Sequence, residues 1–271
     1  MLLTLLPVAA IAEYAYDVAE LQTTVEQANV EPQGARVATQ EQLTAAIDTA
    51  PTTGTPWTIW LEADLQLTQP LPITDGRNIT LTGQGAPRTI TAPATGRHFS
   101  VSGPDTSLTL TNIVLDGGTG TGLRGGVSVN TGGTLVLQAG SVIQRNSAYL
   151  RGGGVLVSGN SRLYMQGGTI TANTTLPAAA TGDAYGGGVA IIGSGQFTMS
   201  GGTITGNVVT GTRYVNGGGV FVEGTAVFTL QGGTISGNSA VRAGGGVGVG
   251  GDARFVMSGG TITGNTATNG G

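Results

Sequence analysis

Residues 186–207 read GGGVAIIGSGQFTMSGGTITGN, and the same frame occurs three times more: GGGVLVSGNSRLYMQGGTITAN at 152–173, GGGVFVEGTAVFTLQGGTISGN at 217–238 and GGGVGVGGDARFVMSGGTITGN at 244–265. Each block runs 22 residues from its first glycine to its asparagine, and Ile170, Ile204, Ile235 and Ile262 all fall 15 residues after the block's leading Val. The stretch between an asparagine and the next triple glycine varies instead, through 5, 12, 9 and 5 residues. A constant block with one variable connection marks a repeating coil whose insertions all leave at one corner.

Within the blocks the apolar positions superimpose. Val155, Val157, Leu163, Met165 and Ile170 are matched by Val189, Ile191, Phe197, Met199 and Ile204, then by Val220, Val222, Phe228, Leu230 and Ile235, then by Val247, Val249, Phe255, Met257 and Ile262. This spacing predicts three short strands per coil with alternate side chains turned inward. Coils stacked about 4.8 Å apart would align like residues in columns, and Asn173, Asn207, Asn238 and Asn265 would form an amide ladder. A weaker copy begins at Arg124–Val127 and places Val142 at the isoleucine position. The block is too short for the four strands and turns of a propeller blade.

Upstream of the repeats the period-two pattern is already present. Ile59 and Leu61, Leu65 and Leu67, Ile79 and Leu81, Phe99 and Val101, and Leu108 and Leu110 alternate in short segments broken by Gly, Pro, Asp and Asn. Ahead of them Thr39 and Gln42 have the spacing of a capping box, and Leu43, Ala46 and Ile47 make one apolar stripe, so a helix should run from there and stop before Pro51. Trp57 and Trp60 are expected in this cap region, and His98 at a turn or on the surface. The expectation is an all-β chain: a right-handed parallel β-helix, or solenoid, with an N-terminal capping helix.

The run Leu2 to Ala12 ends in Ala10-Ile11-Ala12, the form of a signal-peptidase site, and is too short to span a bilayer, which takes about 20 residues. The chain therefore divides into a signal-peptide remnant at 1–12, a helix and linker at 13–36, a cap with irregular first coils at 37–123, and regular repeats at 124–271 truncated at the C-terminus, with further coils expected beyond. Within the second segment Tyr14, Val18, Leu21 and Val25 recur at helical spacing over 13–29, and Glu31 to Gly34 is a Pro/Gly linker. A secreted or cell-surface location follows from this reading.

Composition removes several functions. There is no cysteine, one histidine and no lysine, so Cys-based zinc and redox sites are impossible and histidine-rich metal sites cannot be built. No cofactor, metal or nucleic acid is expected, and no membrane span. Charge is uneven: residues 1–123 hold 12 acids and 4 arginines, whereas residues 124–271 hold 3 acids and 7 arginines.

The paired motifs GGGV and I-T-[AG]-N resemble the GGA[ILV] and FxxN repeats of chlamydial polymorphic outer membrane proteins and related bacterial adhesin-like β-helix proteins, with Ile or Val in place of the Phe. NITLTGQG at 78–85 and LTLTNIVLDGG at 108–118 are similar to the opening coils of pectin-lyase-like surface proteins. The resemblance spans about residues 37–271 and implies a structural or adhesive module of a bacterial surface protein. A fold of this kind also hosts polysaccharide lyases and hydrolases, so function has to be argued from a site.

For catalysis on acidic polysaccharide the repeats offer Asp183, Glu223 and Asp252, at different offsets from their glycine motifs, and Asp116 with Arg124 and Arg145, without a second acid beside it. No catalytic residue is assigned. The Thr residues flanking each inward Ile, from Thr169 and Thr171 to Thr261 and Thr263, would form two outward rows, a lattice suited to ice. The variable corner carries the preferred candidates: Tyr149, Arg151, Asp183, Tyr185, Arg213 and Tyr214, joined by Arg242. Aromatic and arginine side chains on projecting loops suit binding of a glycan or a surface protein.

Overall fold

Strands one coil apart pair in parallel, and in the computed structural model this pairing builds a β-solenoid of about 8 turns. The structure describes residues 33–119, 123–179 and 182–271, and Gly34–Gly271 forms one compact unit. The expected signal-peptide remnant and the helix at 13–29 lie outside the described residues.

Each regular coil has four faces, where the sequence pattern predicted three strands. The first face stacks seven strands from Leu71–Ile73 to Val247–Val249, each regular one beginning at the Val after the triple glycine. The second stacks nine, from Gly34–Val37 to Arg254–Met257, and the third eight, from Leu65–Gln66 to Thr261–Thr263. The fourth lies beyond the asparagine, in Ser147–Tyr149, Thr174–Leu176, Val208–Val209, Ser239–Ala243 and Thr266–Asn269. In the two long connections the chain rejoins this face at Ala184–Tyr185 and Val215–Asn216. The variable corner is therefore partly sheet. Its signal was the second residue after each asparagine: Ala148, Thr175, Val209 and Ala240 are all buried.

Inward side chains form continuous columns. On the second face Leu108, Leu135, Leu163, Phe197, Phe228 and Phe255 follow one another in register. Phe197 and Phe228 stack with centroids 4.6 Å apart, and Phe228 and Phe255 at 5.1 Å. On the third face Ile143, Ile170, Ile204, Ile235 and Ile262 form the column. Val142 is thus not an inward residue: it pairs with Thr169 on the outer surface, because the corner at Ala139–Ser141 is one residue longer than in later coils. All of the side chains in these columns but Phe255 and Ile262, which are partly buried, are enclosed completely, and such burial stabilises by roughly 1.5–3 kcal/mol each.

Two features hold the corners. A Cβ on Gly187 would lie 2.5 Å from the carbonyl oxygen of Gly218 and 2.7 Å from that of Val208, so the middle glycine is required by backbone packed against backbone. Beside it runs the expected asparagine ladder. Nδ2 of Asn146, Asn173, Asn207 and Asn238 donates to Oδ1 of the next asparagine, each at 2.9 Å, ending on Asn265. The backbone N–H of each donates to the same oxygen at 3.0 Å.

His98 is fully buried, not at the surface, and its Nε2 donates to the Ile90 carbonyl at 2.9 Å. Burial holds its pKa down to about 4, so the ring is neutral at pH 7.

The helix runs Gln40–Thr49, opened by the Thr39–Gln42 capping box, and buries Leu43, Ala46 and Ile47 in the same core as the coils. Gly34–Val37, which runs from the end of the expected linker segment into the cap, is a strand paired with Thr58–Leu61. Trp57 packs partly buried against the core, whereas Trp60 lies outward with the Arg36 guanidinium 5.4 Å from its ring centre.

Candidate ligand-binding corner

Three successive coils bring Arg151, Tyr185, Phe221 and Glu223 together where the fourth face meets the first. Arg151 and Tyr185 pair through an isolated parallel bridge, which fixes their side chains on neighbouring coils. The Tyr185 ring stacks on Phe221 at 4.5 Å with planes 23° apart, and the Arg151 guanidinium lies 5.3 Å from the Tyr185 centroid. Arg151 Nη2 reaches Glu223 Oε2 at 2.5 Å. Tyr185 is thus ordered rather than projecting on a loop.

Phe221 was missed by sequence reasoning. It sits between inward Val220 and Val222, so its side chain points outward, yet it is 97% covered, because Tyr185 lies on it and Gly248 on the next coil leaves it room. An aromatic at an outward strand position was the available signal.

Beneath the cluster Arg97 braces the backbone. Its Nη2 donates to the Arg151 carbonyl at 3.0 Å and its Nη1 to the Gly152 carbonyl at 2.9 Å. Burial lowers its pKa to about 10, which leaves it charged at neutral pH.

Asp183 joins the cluster from the long connection. It accepts the Tyr214 N–H at 3.4 Å, and its charge lies beside the Tyr185 phenol. Burial first, then the charges of Asp183 and Glu223, raise the Tyr185 phenol pKa. Asp183 and Glu223, at different offsets from their glycine motifs, are thus both close enough for their charges to act on one tyrosine. Tyr214 is 46% exposed, with the guanidiniums of Arg213 and Arg242 at 5.5 Å and 5.1 Å from its centroid. Arg242 Nη1 donates to the Arg213 carbonyl at 3.1 Å. Five of the six candidates thus form one surface. Tyr149, also exposed, instead walls a shallow hollow with Arg97, Leu123, Ser147 and Ala148.

Asp116 is occupied. Arg145 pairs with it, and Gly118 N–H and Gln144 Nε2 donate to it at 2.7 Å and 3.0 Å. Burial pushes its carboxyl up, but the hydrogen bonds from Arg145, Gly118 and Gln144 outweigh that and hold it below the usual range. Arg124 contributes its backbone, bridging Gly96 and Ser147. Among the described residues no group of three or more His, Asp or Glu could hold a metal ion.

The threonine rows are in register. Thr169, Thr203, Thr234 and Thr261 form one column on the third face, and Thr171, Thr205, Ser236 and Thr263 the other. Among the described residues no helix is long and apolar enough to cross a membrane. No family model, curated protein or solved structure matches the chain.

Proposed function

We propose that this protein is a structural and adhesive module of a bacterial surface protein, exported from the cell, binding a glycan or surface protein through the Tyr185–Tyr214 corner. The observation that carries the reading is the convergence of Arg151, Asp183, Tyr185, Arg213 and Tyr214 from separate coils onto one open surface. Such side chains are those that dominate binding hot spots. Their support is rigid: Tyr185 is stacked and Arg151 ion-paired, so little freedom is lost when a ligand docks. The repeat motifs and opening coils described above, similar to polymorphic outer membrane and pectin-lyase-like proteins, agree with that setting. In this reading the helix Gln40–Thr49 covers the first coil, and the winding is right-handed, as parallel crossovers are in about 98% of cases. Affinity per module is low and is raised by many copies on one surface.

The test is attachment of protein-coated beads to cells and to a panel of glycans. Tyr185→Ala with Tyr214→Ala should abolish it while the thermal midpoint stays within a few degrees of the parent. Undiminished attachment would make the corner a connection and the module a stalk.

A second reading rests on the threonine columns, whose regular spacing of hydroxyl and methyl groups offers a template for ordered water. Ice is the ligand in that case, and the corner plays no part.

A further inference from the structure

We infer that the protein has a second binding site, the hollow between Arg97 and Tyr149, and that it takes a carboxylate carried on a small apolar body. Its place follows from an interruption in the fourth face. Ser147–Tyr149 is the strand at which that sheet begins. In later coils the equivalent segment donates back to the coil before it: Thr174 N–H to the Asn146 carbonyl at 2.8 Å, and Thr210 N–H to the Thr175 carbonyl at 3.0 Å. On the corresponding edge of Ser147–Tyr149 there is only a one-residue antiparallel bridge, in which Ser147 and Arg124 exchange backbone hydrogen bonds of 2.8 Å and 3.0 Å. Alternate amides of a strand face the same neighbour, so Tyr149 N–H lies on this edge too, and it has no acceptor among the described residues. The hollow of about 210 Å³ runs along the same edge, with Leu123, Ala148 and Tyr149 in its wall.

Arg97, also in the wall, supplies a cation that nothing balances. Its guanidinium donates to the carbonyls of Val127, Gly152 and Arg151, and no acid lies within ion-pair distance of it among the described residues. Carbonyl oxygens satisfy donors but carry no net charge, and a guanidinium held away from water is stabilised fully only by a counter-ion. Three bonds also leave two of its five N–H groups. An anion entering the hollow meets this charge and the unpaired Tyr149 amide together, a pair of donors suited to a carboxylate. The leucine, alanine and tyrosine beside them suit an apolar body. The volume equals that of about seven water molecules, which admits a short aliphatic or phenyl-substituted acid. A peptide ending in an apolar residue carries the same group, and its backbone has the open edge to pair with.

Titration of the full chain by NMR tests this, with hexanoate, phenylacetate, acetate, hexanamide and a tripeptide ending in leucine, the last as free acid and as amide. Hexanoate and phenylacetate should bind saturably at about millimolar concentration or below, and hexanamide and acetate about tenfold more weakly or worse. Tighter binding of the tripeptide acid than of hexanoate identifies a peptide end as the source of the carboxylate, and the reverse order a free acid. Arg97→Gln should weaken the acids by about tenfold or more, whereas Arg162→Gln, an exposed arginine on the second face, should change nothing. Because Arg97 also braces the backbone, Leu123→Trp is the companion variant: it fills the hollow, leaves the guanidinium in place and should abolish binding. Equal affinity for hexanoate and hexanamide would overturn the carboxylate assignment, and equal affinity for hexanoate and acetate the apolar one. Binding of no probe, or binding that survives Leu123→Trp, would remove the site.

Discussion

His98 and Asn146 converge on one backbone amide. The Gly126 N–H points at Nδ1 of His98, 3.0 Å away, and at Oδ1 of Asn146, 2.8 Å away. The histidine thus stands where the asparagine ladder would otherwise continue toward the first coils, and it must be neutral to accept that hydrogen.

Acid should therefore loosen the protein at this point. Free histidine titrates near 6.5 and His98 near 4, so between those values the unfolded chain binds the extra proton. The neutral ring's stability is fully present above pH 6.5 and is lost as pH falls toward 4, to a total of about 3 kcal/mol. Urea unfolding from pH 7.5 to 4.5 should show this slope, and His98→Gln should flatten it. An unchanged slope in the variant would place the acid sensitivity elsewhere. Asp116 acts lower: its depressed pKa puts the loss of its pairing with Arg145 below about pH 4.

Breaking the ladder in its middle should cost far more than breaking it at its end. Asn207→Ala removes the acceptor for Asn173 and the donor to Asn238 and to the Ile170 carbonyl, all in buried surroundings. A loss of about 3 kcal/mol or more is expected. Asn265→Ala, at the part-exposed last step, should cost about 1 kcal/mol. Chemical denaturation of the two variants gives the ratio, and equal losses would show that the ladder does not act as a buried network.

Ala172 occupies a position where the later coils have Gly206, Gly237 and Gly264, and it adopts φ 53° where they adopt 63°, 62° and 61°. That conformation is strained for alanine. Ala172→Gly should raise stability by about 1 kcal/mol, and Gly206→Ala should lower it by a similar amount. A calorimetric midpoint that moves the wrong way for either variant would contradict the strain argument.

The threonine columns carry their own check. Thr203→Tyr places a bulky ring in the middle of the lattice without touching the core. If ice is the ligand, thermal hysteresis is present in the parent and lost in this variant. Parent protein without hysteresis removes that reading.

The repeat frame made most of the fold legible, because an inward column tolerates only apolar residues and the corner at Gly187 tolerates no side chain. Register was legible where the coil length was constant and failed where it was not: one extra residue at Ala139–Ser141 turned Val142 outward. The fourth face escaped notice because its strands are short and its inward positions are small or polar, such as Ala148 and Thr175. His98 was misplaced since a lone polar residue between Arg97 and Phe99 says nothing of the ladder it terminates. At the corner, residue types were readable but partners were not: Arg151 and Glu223 are 72 positions apart and meet through stacking alone.

The shared coil-to-coil register of the regular repeats has a consequence for the length of the chain. Since each coil meets its neighbours through the same columns, the stretch 186–216 is bounded by equivalent points, and its removal would bring the coil ending at 185 against the one beginning at Gly217 with glycine, valine and asparagine positions all matched. Removing or duplicating one such stretch would therefore shorten or lengthen the solenoid by one whole turn, with its inward columns and its asparagine ladder still in register.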